Sequence, residues 1–381
     1  MGDTVIRPLV LLMGTTASGK TRLALQLAQT LSGEIICGDA LQLWQGIPIL
    51  SAAPTPDEQV AVKHHLFGLY APFQKDGSSR LIYERKTVRD WYASVCDVLR
   101  EIQPPHTPII VGGTHYFFLF FLSQPGTRDL LHSVGLQPVL LFCDAHAALA
   151  YRVADRVASM VGQGLLCEVS LLLSSLKLER ITRVTEGYVR DGVSDGIMQA
   201  IGLREFILAT QQSDAFKTFM SDESIKGLSP FDVSAHTKIL LYSVLNDPTA
   251  RTDSIVHFAD TLSVSMEAAL QLGAVLLEVF DNTVAYAKQQ KKWVRRIERH
   301  GLSILRIDTS TWNDNIVALA LEEVSKASCC ARINYTFLQL SSQTLYCDTC
   351  NIVVTGQKVY EEHIQSRAHR RKLNSKRKNT S

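Results

Sequence analysis

The sequence carries almost no net charge: 39 Lys and Arg against 37 Asp and Glu leave +2 over 381 residues. Overall charge therefore points to no class of partner, and only its distribution can. There is no cysteine framework. Of the eight cysteines, Cys37, Cys96, Cys143, Cys167, Cys329 and Cys330 are scattered or sit side by side. That pattern excludes a disulfide-stapled secreted scaffold and fits reduced thiols inside a cell. No apolar run reaches the ~20 residues that span a bilayer; the most apolar stretch, Phe117–Leu122, is far shorter. Leu9–Met13 is too short for a secretory leader and no A-x-A cleavage site follows it. The opening Met1-Gly2-Asp3-Thr4-Val5-Ile6 lacks the Ser or Thr of a myristoylation signal. Arg7 is the only early base, which argues against an organellar transit peptide. The expectation is an intracellular protein with no membrane partner, monomeric by default; cytoplasm, mitochondrion and nucleus all stay open. No internal repeat is present.

What is there reads as a layered α/β protein. An apolar share of 46% is enough to build a sizeable core. Leu9–Met13 is a continuous apolar run, the mark of a strand buried on both faces, and it ends at a Gly-rich loop. Leu23, Leu27 and Leu31 then repeat at helical spacing before Gly33. Ile35–Cys37, Pro108–Val111, Pro138–Cys143 and Ser303–Asp308 read as further strands, and Thr87–Ile102 as an amphipathic helix. Strands alternating with helices predict a parallel sheet. From Ala145 to Val279 the pattern is mostly helical, as in Leu149–Val161 and Met266–Phe280, with loop clusters such as Gly227–Pro230. The predicted architecture is α/β: a P-loop NTPase-like parallel sheet flanked by helices, a mostly helical second half and a small C-terminal zinc finger. The expected boundaries are 1–325 for the core, 326–344 for a linker, 345–372 for the finger and 373–381 for a basic disordered tail.

Gly14-Thr15-Thr16-Ala17-Ser18-Gly19-Lys20-Thr21 matches G-x-x-x-x-G-K-[ST] in full and sits between a strand and a helix, the context that confirms it. Backbone N–H groups of such a loop curl around phosphate, and the helix N-terminus adds positive potential. Lys20 neutralises phosphate charge, and the Thr21 hydroxyl can hold Mg²⁺. The loop specifies a polyphosphate without saying which: ATP, another nucleotide or a prenyl diphosphate satisfies its chemistry. Asp39 stands at the carboxyl end of the second strand, where open α/β sheets place their sites, as a candidate base. From position alone a turn or helix-capping role serves Asp39 as well. Thr114 follows Gly112-Gly113, whose small size permits close approach of a ligand. The pair His64-His65 has no cysteine or acidic companions in a ligand spacing and reads as structural.

The C-terminal segment holds Cys347-x2-Cys350-x12-His363-x5-His369, a zinc-ligand spacing. Two thiolates from a turn and two imidazoles from one helix face converge on one Zn²⁺, and a module this short needs the metal to fold. From Arg367 onward the last fifteen residues hold seven Lys or Arg and no acid, while Lys288–Arg299 holds six against one Glu. Lys288, Lys292, Arg295 and Arg299 fall on one helix face, and such a charge run is most often a solvated face.

Taken together these segments resemble the tRNA dimethylallyltransferase (tRNA isopentenyltransferase) family, in its eukaryotic form with a C-terminal zinc finger. The matching segments, in order, are Gly14–Thr21; Asp39-Ala40-Leu41-Gln42-Leu43-Trp44; Pro54-Thr55 with His64-His65-Leu66; and Gly112-Gly113-Thr114-His115-Tyr116. After them come Arg152, Arg156, Met160 and Gly164-Leu165; Gln199–Glu205; and Tyr286-Ala287-Lys288-Gln289 through Trp293. The resemblance implies that the loop residues Gly14, Thr16, Ala17, Ser18, Gly19, Lys20 and Thr21 hold dimethylallyl diphosphate with Mg²⁺. It implies that Asp39 is the general base on the exocyclic amine of the adenosine 3′-adjacent to the anticodon, with Thr114 positioning it. It implies that Gln42, Lys288, Lys292 and Arg295 touch the anticodon stem-loop of tRNA. The sequence departs from the family at Ala40 and Trp44, in the segment that would grip the flipped base, and at Ala285. It departs most between Leu122 and Leu136, where the family carries a helical insertion of several dozen residues that grips the anticodon stem. A small-molecule P-loop kinase would share the core pattern but needs neither finger nor basic helix. An RNA-binding family member with weakened catalysis would keep both.

Overall fold

The computed structural model describes residues 6–72, 74–75, 81–82, 86–176, 196–221, 224–299, 302–328, 344–347, 352–355, 357–366, 369–370 and 373. The chain opens on β1 (Arg7–Gly14), buried along its whole length, then α1 (Lys20–Thr30) and β2 (Glu34–Cys37). Two short helices follow, α2 (Pro48–Ser51) and α3 (Pro56–Ala61), then the two-residue strand β3 (His64–His65). A small hairpin, β4 (Gln74–Lys75) with β5 (Leu81–Ile82), precedes α4 (Val88–Glu101). Thr87 and Asp90 close a capping box at the start of α4, which fixes where that helix begins. Next come β6 (Pro108–Gly112), α5 (His115–Ser123), α6 (Pro125–Ser133) and β7 (Leu136–Asp144).

Six strands form one parallel sheet in the order β3-β2-β6-β1-β7, with β8 (Leu305–Asp308) at the far edge. Helices pack on both faces of this sheet, as parallel strands require. One face is filled by Leu9, Leu11, Met13, Trp91, Phe118, Phe121 and Phe142, the other by Val10, Leu12, Leu23, Leu27, Ile109 and Leu141. Alternate residues of β1 thus serve opposite cores, which explains its unbroken apolar run.

The helical half follows. It comprises α7 (Leu149–Gly162), α8 (Leu165–Leu176), α9 (Leu203–Gln212), α10 (Asp214–Ser221), α11 (Ser224–Gly227), α12 (Pro230–Asn246) and α13 (Arg251–Asp260). It ends in α14 (Met266–Arg299), a helix of 34 residues. These helices enclose a third core around Val153, Leu203, Phe206, Phe216, Leu241 and Leu272. The helix expected over Met266–Phe280 therefore runs on through the basic stretch. Nothing between them breaks it, and its buried side continues through Ala287, Val294 and Ile297. By length and composition α14 could cross a membrane, but just over half of its apolar window is buried inside the protein.

The connection between Leu122 and Leu136 is the nine-residue helix α6, seated by buried Leu130 and Leu131 and by Thr127, whose hydroxyl donates to the Phe121 carbonyl at 2.6 Å. After β8, α15 (Asp314–Ser328) extends into the stretch read as linker, so that boundary falls within a helix. The C-terminal module shows the hairpin β9 (Thr344–Cys347) and β10 (Ile352–Thr355), then α16 (Gln357–Ile364).

Candidate active site

The carboxyl ends of β1, β2 and β6 meet where the strand order switches sides of β1, the crevice in which open α/β sheets bind ligands. The loop after β1 enters α1 through Gly19, which takes φ 84° in the left-handed region that glycine tolerates best. A Cβ there would also sit 3.0 Å from the Trp312 ring. Among the described residues, the buried hydroxyls of Thr15 and Ser18 have no protein partner. Lys20 points back at the Thr15 carbonyl, 3.4 Å away. Burial and the neighbouring Arg156 push the Lys20 ammonium down to about 8, against the opposing pull of Asp39 and Cys143. A lysine held below its usual range and a loop with orphaned hydroxyls are the signs of a cradle shaped for an anion.

Asp39 and Thr114 are brought together by reciprocal bonds between the loops after β2 and β6. One Asp39 carboxylate oxygen accepts the Gly113 N–H at 3.1 Å, the other accepts the Leu41 N–H at 3.1 Å. The Ala40 N–H donates to the Thr114 hydroxyl at 2.9 Å. This lacing needs Gly112, since a Cβ there would fall 2.0 Å from the Gly38 carbonyl oxygen. Asp39, Lys20, Thr21, Thr16 and Arg156 line one cavity with Gln42, Ser51, Met160, Tyr286 and Gln290. Asp39 thus shares a cavity with the predicted phosphate loop, and Thr114 stands beside it through its bond to the Ala40 N–H.

Several members of the site were reached by sequence reasoning only as parts of matching segments, without a role. Gln290, buried on α14, accepts the Thr16 N–H at 2.8 Å through its Oε1 and donates to the Gly113 carbonyl at 2.9 Å through its Nε2. It bridges the two loops that carry the chemistry. The Tyr286 hydroxyl, one turn earlier, is pushed up by desolvation and by the charge of Asp39, with Gln290 and Thr114 as hydrogen-bonding neighbours, although the residue as a whole is 41% exposed. Burial lowers the pKa of Arg156, and Asp39 partly offsets that. Arg152 braces the outside of the loop by donating to the carbonyls of Ser18, Thr309 and Ser310. The only sequence signal for Gln290 and Tyr286 was their place in the Tyr286-to-Trp293 segment.

Other expectations land differently. The Gln42 amide nitrogen is spent on the Ser51 and Ala52 carbonyls at 3.1 and 2.7 Å, so it shapes the cavity wall rather than standing free. Trp44, placed by sequence in the base-gripping segment, is instead a core residue, 6% exposed and edge-on to Tyr70 at 5.5 Å. Large apolar rings leave water wherever a core can take them, and here it can. His64 bonds the Val62 carbonyl and His65 bonds Glu34 at 2.6 Å, the structural role expected of the pair. Lys288, Lys292, Arg295 and Arg299 are all exposed, on the side of α14 away from the core. In the C-terminal module, Cys347, His363 and His369 bring their ligand atoms within 4.8 Å of one another. The separations Cys347 Sγ–His369 Nδ1 of 3.5 Å and His369 Nδ1–His363 Nε2 of 3.3 Å suit three corners of a tetrahedral zinc site. The fourth expected ligand, Cys350, lies outside the described residues.

Comparison with known proteins agrees with this geometry. The IPP transferase family model matches residues 42–133, and a C2H2-type zinc-finger model matches 345–369. The tRNA dimethylallyltransferase of Caulobacter is 42% identical over 119 residues, a match spanning 31% of this chain and 34% of that protein. Longer matches reach tRNA dimethylallyltransferase 2 of Arabidopsis thaliana, at 25% identity over 95% of this chain and 91% of that one. They also reach the human tRNA dimethylallyltransferase, at 21% identity over 97% and 87%. Over most of its length the chain is similar to tRNA dimethylallyltransferases. A solved eukaryotic dimethylallyltransferase acting on tRNA shares the fold, with a TM-score of 0.54, 18% identity and 98% of both chains covered. The Arabidopsis alignment runs over 469 positions, more than the 381 residues here, so that family member carries segments without a counterpart in this chain.

Proposed function

We propose that this chain transfers the dimethylallyl group of dimethylallyl diphosphate to the exocyclic amine of the adenosine 3′-adjacent to the anticodon in tRNA. The observation that carries the reading is one cavity holding Lys20 and Thr21 of the phosphate loop against Asp39, under a helix whose outer side is basic. The amine attacks the allylic carbon, the bond from that carbon to the diphosphate oxygen breaks, and the amine proton passes to Asp39. Lys20, Arg156 and the loop N–H groups hold the departing pyrophosphate. Thr21 and, through water, Asp39 would hold Mg²⁺, whose charge offsets that of the leaving group. The N–H groups of Gly113 and Leu41 keep the Asp39 carboxylate on station, Thr114 fixes the adjoining Ala40 N–H, and Tyr286 lines the cavity as a neutral phenol. An aromatic amine is a weak nucleophile, so positioning and fixed charges supply most of the acceleration. The adenine must leave the loop stack to reach the carbon. Zn²⁺ bound by Cys347, Cys350, His363 and His369 would fold the C-terminal module, and its basic surroundings favour RNA.

Incubation with dimethylallyl diphosphate, Mg²⁺ and unmodified tRNA should yield isopentenyladenosine on nucleoside digestion. Asp39→Ala should lower kcat by roughly 10²–10⁴-fold, the usual contribution of a positioned base. Absence of product from the intact protein with tRNA still bound would sink this reading. It would favour the weakened family member, which is the second reading suggested by the nine-residue helix α6 standing where the resemblance implies a stem-gripping insertion.

A further inference from the structure

A row of exposed aromatic rings leads away from the Asp39 cavity. Tyr286, on its lining, is 41% exposed; Trp293, two turns along the same flank of α14, is 40% exposed; Tyr116, two residues after Thr114, is 38% exposed. Aromatic rings of this size are normally drawn into a core or an interface, so three on one rim call for an occupant. Tyr116 and Trp293 stand edge to face, with ring centroids 6.4 Å apart and planes at 88°, and Tyr116 rests on Phe120 at 6.2 Å. The pair is therefore braced from beneath and open above. Positive charge lies nearby: Lys292 and Arg295 are exposed further round α14 from Trp293, and exposed Arg89 on α4 is close enough to act on the Tyr116 hydroxyl. Rings set among cations are how proteins hold unpaired nucleotides, the cations following the backbone and the rings taking base faces.

We infer that Tyr116 and Trp293 form a stacking platform for an unpaired RNA base next to the acceptor adenosine, with Lys292, Arg295 and Arg89 on the flanking phosphates. This rests on the RNA-directed reading of the active site and extends it to a surface that no catalytic step requires. A flipped adenosine leaves a neighbour without its stacking partner, and a ring at the cavity mouth replaces what that neighbour lost.

The test compares binding of an unmodified anticodon stem-loop RNA and of a blunt RNA duplex of equal length, by fluorescence anisotropy over a salt series. Trp293→Ala should weaken stem-loop binding about tenfold, within the range for one lost base stack. It should leave duplex binding, the salt slope and dimethylallyl diphosphate affinity unchanged, and should raise KM for RNA with little change in kcat. Trp293→Phe should recover most of the loss, and Tyr116→Ala should reproduce part of it. Lys292→Ala should instead reduce the salt slope. Stem-loop affinity of Trp293→Ala equal to wild type, or an equal loss on duplex and stem-loop, would overturn the platform while leaving the transferase reading intact. Intact protein that transfers no dimethylallyl group yet shows the Trp293-dependent stem-loop preference would overturn the transferase reading and support the platform. Intact protein that binds neither RNA overturns both.

Discussion

At the scale of single residues, the site is governed by what happens to charge when water is removed. Lys20 is depressed to about 8 by desolvation and by Arg156. A bound diphosphate restores its attraction for the proton, so the complex holds a proton that the free protein has lost above pH 8. Affinity should therefore be flat below about pH 8 and fall as pH rises beyond it, by up to about tenfold per pH unit. Calorimetric titration of dimethylallyl diphosphate in buffers of different ionisation enthalpy should show proton uptake at pH 9 and none at pH 7. Lys20→Met should remove the difference, and a pH-independent affinity in the intact protein would refute this account. The loop was legible in the sequence because its chemistry depends on residue type at short spacing, while the roles of Asp39 and Thr114 came only from the resemblance. Gln290 was not legible: its role arises from a bridge to Thr16 and Gly113 across 274 and 177 positions of chain, which no local pattern encodes.

At the scale of elements, α14 does the most. Its inner side gives Ala287, Val294 and Ile297 to the cores and Gln290 to the site, while its outer side carries Lys288, Lys292 and Arg295. It is pinned beside β7 by Lys291, whose ammonium lies 2.6 Å from the buried carboxylate of Asp144. Lys291→Met should strand that carboxylate and cost about 2–3 kcal/mol, below the full figure for a wholly buried pair because the lysine is partly in water. Asp144→Asn in the Lys291→Met background should return much of the loss, as judged by urea unfolding midpoints. A Lys291→Met midpoint equal to wild type would show that the pair does not anchor the helix. Sequence periodicity found both halves of α14 but not their union, because apolar and basic stretches were read as separate signals. The same limit applies to α6, whose composition resembles a loop and whose helical state comes from Leu130 and Leu131 finding a core.

At the scale of the whole molecule, the layered sheet and the helical half were predictable from strand–helix alternation, and the finger from its ligand spacing. The enclosed core of the helical half was not, since it joins Val153 to Leu272 across eight helices whose mutual packing follows from no single repeat. The finger and the enzyme core are built on different principles, one on a metal and one on apolar burial. Stripping zinc with a chelator should unfold residues 345–369 and leave the main thermal transition in place, seen as loss of finger amide signals in NMR without a shift in Tm. A large fall in Tm would show that the two are energetically joined.

On the proposed function, one helix would meet the nucleic acid on its outside and the phosphate loop, through Gln290, on its inside. Whatever free energy RNA spends in settling that helix must appear again in the affinity for the small substrate, and by the same factor in reverse, since binding linkage is reciprocal. The two substrates should therefore bind as partners. Saturating non-reactive stem-loop RNA should tighten the Kd for the diphosphate, and Gln290→Leu should reduce that coupling factor towards one. Identical diphosphate affinity with and without RNA would mean the helix does not transmit between its two faces.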